Sequence, residues 1–102
     1  MEIEVNISRP VTLGGLSFIK VSFAILSSKD RDLVDKYKRE LSKLLNNLIK
    51  ALQEKYGKET LLTTNFIVEV EDNTKIPKKV SVKKVILWEP FKIIQENIEV
   101  NL

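Results

Sequence analysis

A chain of 102 residues, 43% hydrophobic and 30% charged, has the size and mix of one globular domain with enough apolar surface to close a core without staples. It has no cysteine and no histidine, so disulfide scaffolds, thiolate or imidazole metal sites, Cys–His nucleophile pairs and imidazole acid–base catalysis are excluded. The net charge of +3, from 17 basic against 14 acidic residues, tolerates an acidic partner without requiring one.

The first residues, Met1-Glu2-Ile3-Glu4-Val5, lack the basic and apolar regions of an export signal. No stretch reaches the roughly eighteen apolar residues of a membrane span, so a cytoplasmic protein without membrane contact is expected. Fourteen of the seventeen cations are lysines and heat-labile residues are scarce, which fits a heat-adapted archaeon or its virus, although an AT-rich genome yields the same bias.

Residues 2–8 alternate, with Ile3, Val5 and Ile7 on one side and Glu2, Glu4, Asn6 and Ser8 on the other, which predicts a half-buried first strand. Arg9-Pro10 and Gly14-Gly15 then predict a turn into a second strand, not a phosphate loop, because the glycines lack the GxxxxGK[ST] or GxGxxG pattern. In that second strand, Leu16 to Leu26, Ile19, Val21, Phe23 and Ile25 are assigned to the core. Phe18, Lys20, Ser22 and Ala24 are assigned to the opposite face, and strands one and two to a hairpin.

Ser27 with Asp30 three residues on has the spacing of a capping box. One long amphipathic helix is therefore expected from about residue 29 to 56, with Leu33, Val34, Tyr37, Leu41, Leu44, Leu45, Leu48, Leu52 and Tyr56 on its apolar stripe. Acid-first pairs Asp32/Lys36, Asp35/Arg39 and Glu54/Lys58 support it, and Gly57 supplies the left-handed stop.

A third strand is expected with Phe66, Val68 and Val70 inward, followed by the turn-rich 72–77 segment. The fourth begins near Lys79. Its apolar phase slips at Lys83-Lys84, as a β-bulge would make it do, although a strand end buried on both faces gives the same pattern. In the tail, Phe91, Ile94 and Ile98 fit a helical turn, while Ile98, Val100 and Leu102 alternate like an edge strand.

The fold expected is thus a single α+β domain spanning residues 1–102: a four-stranded antiparallel sheet, with a fifth strand open, in β-β-α-β-β order under one long helix. A 28-residue helix runs about 42 Å and an eight-residue strand about 27 Å, so the helix should overhang the sheet. Its last apolar residues, Leu48, Ile49, Leu52 and Tyr56, then need the tail or a second copy as cover, with Trp88 and Phe91 as candidate anchors of that interface.

Two other features invite a functional reading. Phe18, Lys20, Lys79, Lys83 and Lys84, placed on the uncovered sheet face, could stack bases and follow phosphates, although lysines on exposed strands also serve to deter aggregation. Glu2, Glu4, Glu69 and Glu71 read as the solvent side of two strands, and strands bearing only acids call for a lysine-bearing neighbour. No catalytic residue, cofactor, metal or small-molecule substrate is expected. The chain reads as a non-enzymatic, homodimeric interaction module, with a nucleic-acid-binding accessory or regulatory protein as the alternative.

Overall fold

A computed structural model describes residues 1–88 and 97–102, and residues 91–94 by backbone alone. Strand β1 (Glu2–Thr12) buries Ile3, Val5 and Ile7 and exposes Glu2, Glu4 and Asn6, as the alternation requires. It continues through Arg9-Pro10 instead of ending there. Ile7 and Val11 face Thr64 and Leu62 on the neighbouring strand, so β1 bulges where proline has no N–H for a ladder.

The loop after β1 turns at Gly15, whose φ of 74° suits a residue without a Cβ, and leads into a helix. Helix α1 (Ser17–Lys29) replaces the strand and hairpin expected at 16–26. Phe18, Ser22 and Leu26, spaced by four, form its buried stripe, while Ile19, Val21, Phe23 and Ile25 flank it half-buried. The Phe18 ring stacks on Phe66 of the sheet with centroids 6.0 Å apart and planes 16° apart.

The expected single helix over 29–56 is broken twice. Asp30 leaves helical geometry (φ −156°, ψ 87°) and its carboxylate accepts from the Leu33 amide at 3.1 Å, capping α2 (Arg31–Lys36). Asp30, not Ser27, is therefore the cap. A second break at Tyr37 precedes α3 (Lys38–Tyr56), which ends at Gly57 as expected, with a positive φ of 95° but a ψ of 156° that is extended and not left-handed helical.

Strand β2 (Leu61–Val70) pairs antiparallel with β1 and with β3 (Pro77–Trp88). β4 (Phe91–Ile94) and β5 (Ile98–Asn101) share the outer edge of β3, pairing respectively with its C-terminal and N-terminal halves. Among the described residues the sheet therefore holds five antiparallel strands in four columns, and the element order is β-α-α-α-β-β-β-β. The tail begins with a strand, not a helical turn, while the edge strand at its end forms.

The anticipated bulge is present. Asn65 faces Lys84 and the next residue, Phe66, faces Val82, which leaves Lys83 as the extra residue. Val80 and Val82 before it and Val85 after it all reach the core.

Because the helix is broken, it does not overhang. The 19 residues of α3 run about 28 Å against about 40 Å for the 12-residue β3. Leu48 and Leu52 are 0% exposed and Ile49 is 8% exposed, covered by the chain's own sheet. One contiguous apolar cluster joins α1, α2 and α3 to the inner face of the sheet. No helix among the described residues is long and apolar enough to cross a membrane.

Candidate interaction face on the open side of the sheet

All three helices lie against one face of the sheet. On the other, Glu2, Glu4, Asn6 and Lys84 are exposed, whereas Thr63 is 6% exposed. Side-chain alternation and strand register place on that open face four rows that can be read off directly. Glu2, Glu69, Lys79 and Asn101 form the first, and Glu4, Ile67, Ser81 and Glu99 the second. Asn6, Asn65 and Lys84 form the third, and Thr63 and Ile86 the fourth, with Trp88 two residues beyond.

The bulge decides what this end of the face presents. With Val80 and Val82 facing the core, strict alternation would send residues 84, 86 and 88 inward as well. The extra residue at Lys83 inverts the phase, so Val85 is buried and Lys84, Ile86 and Trp88 point to the open side. The buried Thr64 hydroxyl donates to the Lys84 carbonyl at 2.7 Å and so satisfies a backbone acceptor at the irregularity.

Asn6, Thr63, Asn65, Lys84, Ile86 and Trp88 line a shallow depression of about 230 Å³ there. Trp88 is 42% exposed and Ile86 half-buried. The lining combines an aromatic face and an aliphatic side chain with two amides and one cation, and holds no carboxylate.

The opposite end of the face carries Glu2, Glu4, Glu69 and Glu99 together with Lys79, and Lys78 Nζ also lies 4.0 Å from Glu69. Glu2 faces Glu69 directly across β1 and β2, and the lysine-bearing strand lies beside them: Lys79 Nζ is 4.0 Å from Glu69 and 3.0 Å from Glu99 of β5. The hydrogen bond to Glu99, followed by the charges of Glu99, Glu69 and Glu2, holds the Lys79 ammonium above the usual lysine range. Asn65 Nδ2 donates to Glu4 at 3.2 Å, linking the acidic rows to the middle of the face. Among the described residues no three acidic side chains are grouped closely enough to hold a metal ion.

The residues singled out from sequence are thus dispersed. Phe18 is fully buried in the core and Lys20 lies on the exposed side of α1, so neither is on the sheet face. Lys79 is on it but ion-paired, and Lys83 and Lys84 stand exposed at the bulge. Of the anticipated interface, Leu48, Ile49 and Leu52 are inside the chain, Tyr56 is half-buried against the core, and Trp88 is exposed. The Phe91 side chain lies outside the described residues. Ile67, Ile86 and Asn65 were not singled out, although the phase slip at Lys83 carries the information that places Ile86 beside Trp88.

A second depression of about 290 Å³, bounded by Asp30, Asp32, Lys36, Tyr37 and Lys75, sits where the helices break. Its charges are mixed, Asp30 is engaged as a cap, and the Tyr37 hydroxyl donates to the Thr74 carbonyl at 2.8 Å. No protein-family model, curated protein or solved structure matches this chain.

Proposed function

We propose that this chain is a non-enzymatic interaction module that self-associates through the open face of its sheet. The observation that carries the reading is the Lys83 bulge, which turns Ile86 and Trp88 onto the face of the sheet opposite the helices, where Trp88 is 42% exposed and Ile86 half-buried. Tryptophan is among the commonest interface anchors, and covering its exposed area removes apolar surface from water at roughly 25 cal/mol per Å². The helix stripe does not serve this purpose, since the chain's own sheet covers it.

Sedimentation equilibrium over a wide concentration range tests the proposal. The native chain should shift reversibly from monomer to dimer, and Trp88→Ala should remain monomeric while keeping its helical circular dichroism. A native chain that is monomeric throughout would contradict the reading.

One observation favours a second reading. Lys84 lines the same depression as Trp88, with Lys83 exposed next to it in the chain, and an aromatic accompanied by cations is a platform for single-stranded nucleic acid. Glu2, Glu4, Glu69 and Glu99 on the same face would repel a phosphate backbone continuing along it, which ranks this reading second. Oligonucleotide binding that steepens as salt falls, by a chain that stays monomeric, would reverse the order.

A further inference from the structure

We infer that the outer edge of β1 is a strand-pairing surface for a second copy of this chain, and that Lys29 holds it closed in the single chain. This edge is separate from the open face and does not depend on that face being used.

β1 is the last strand on its side of the sheet, paired with β2 and, among the described residues, with no other. The Val70 amide donates to the Met1 carbonyl at 2.8 Å and the Met1 amino group to the Val70 carbonyl at 3.1 Å, which marks a hydrogen-bonded pair. Ile3, Val5 and Ile7, in phase with Met1, therefore turn their N–H and C=O groups toward β2, and Glu2, Glu4 and Asn6 turn theirs outward. Such a row is a template for another strand. One member of it is taken: the ammonium of Lys29, the last residue of α1, donates to the Glu4 carbonyl.

β1 suits its own copy in one antiparallel register, centred on Val5. Val5 then faces Val5 of the second copy and Ile3 faces Ile7, which carries the buried apolar row of the sheet across the junction. On the other side Glu4 faces Asn6 and Glu2 faces Ser8, so no like charges sit directly opposite. Centring on Glu4 would set that carboxylate against its copy, and centring on Asn6 would set Glu2 against Pro10, which has no N–H to give. Both helix layers then lie on the same side of one continuous sheet, with α1 beside its copy. Ile19 and Phe23 on one flank of α1, and Val21 and Ile25 on the other, are half-buried, so either flank offers apolar surface there.

In that register the Glu4 carbonyl accepts from the Asn6 amide of the second copy, because the two residues form a hydrogen-bonded pair. Lys29 occupies this acceptor, and its ammonium stands where the second strand would lie. Pairing must release a lysine from each copy, so removing the donor favours it twice over.

Lys29→Met keeps most of the side chain's length and removes the donor, and Lys29 is exposed, so the core is left intact. Association through the open face is the same in this variant and in the native chain, and the difference between them therefore belongs to the edge. In sedimentation, Lys29→Met should associate about tenfold or more tightly than the native chain, while Lys29→Arg, which keeps a donor, should match it. Hydrogen exchange should find the amides of Glu4 and Asn6 unprotected in the native chain, unlike those of Val5 and Ile7, and protected in associated Lys29→Met. Adding Asn6→Pro, which removes an outward-pointing N–H and spares the ladder to β2, should return Lys29→Met to native association. Equal association of the Lys29→Met and native chains, or tighter association in which the Glu4 and Asn6 amides stay unprotected, would overturn the proposal. A native chain that is monomeric at every concentration would overturn the open-face reading alone, since the Lys29 comparison stands without it.

Discussion

The Thr64 hydroxyl donates a 2.7 Å hydrogen bond to the carbonyl of Lys84, across the bulge formed by Lys83. This bond holds the irregularity on which the outward aim of Ile86 and Trp88 depends. Thr64→Val keeps the shape of the side chain and removes the donor, so the part-buried Lys84 carbonyl loses this hydrogen bond. A loss of about 1–3 kcal/mol is expected in urea unfolding. Thr64→Ser should recover most of it, and Thr64→Val should also weaken dimerisation.

Phe18 fills the space between α1 and the sheet by stacking on Phe66. Phe18→Ala should cost about 3–5 kcal/mol, the range for truncating a fully buried aromatic. Were residue 18 on an exposed sheet face, the same substitution would change stability little. Chemical denaturation separates the two outcomes.

Ser22 is fully buried on the inner stripe of α1, and its hydroxyl has no partner among the described residues. Ser22→Ala removes an unsatisfied polar atom and substitutes a better helix former. Unfolding should become harder by about 1 kcal/mol. A destabilised variant would mean that the hydroxyl is satisfied.

Lys79 ties β5 to β3 through Glu99. Its pKa is raised in the folded chain, so its contribution to stability is complete below the ordinary lysine value of 10.5 and is lost as pH rises through the higher folded value. Native stability should therefore fall faster than that of Lys79→Met above about pH 10.5, and the difference between the two should be flat at neutral pH. Because the side chain is partly exposed, the effect should also shrink in high salt.

The β-strands were legible where one face is wet and one dry. Ile3, Val5 and Ile7 alternate with exposed polar residues, Phe66, Val68 and Val70 alternate with the half-buried Ile67 and Glu69, and the structure buries each apolar set. The phase slip at Lys83 was visible in the sequence, because a bulge is a one-residue insertion and leaves its mark on parity, but a strand end buried on both faces leaves the same mark, and the register decides for the bulge. Helix α1 was not. Apolar residues surround most of its circumference, so Ile19, Val21, Phe23 and Ile25 satisfy a two-residue period as readily as Phe18, Ser22 and Leu26 satisfy a four-residue one, and a serine sits in the buried stripe.

The helix breaks had unequal signals. Asp30 three residues before Leu33 is an ordinary cap, outweighed in the sequence reading by the Ser27–Asp30 spacing, whereas Tyr37 carries neither glycine nor proline to announce a break. At the open face, the exposure of Trp88 could not be derived without the bulge. The pairing of Lys79 with Glu99 depends on β5 returning to β3, a long-range choice that no local pattern encodes.

Trp88 is the chain's one tryptophan, so its fluorescence reports directly on the surface at the centre of this account. Emission should lie to the blue and resist acrylamide quenching at millimolar protein, then shift red and become quenchable on dilution to micromolar. Emission that does not change across that dilution would contradict self-association through the open face.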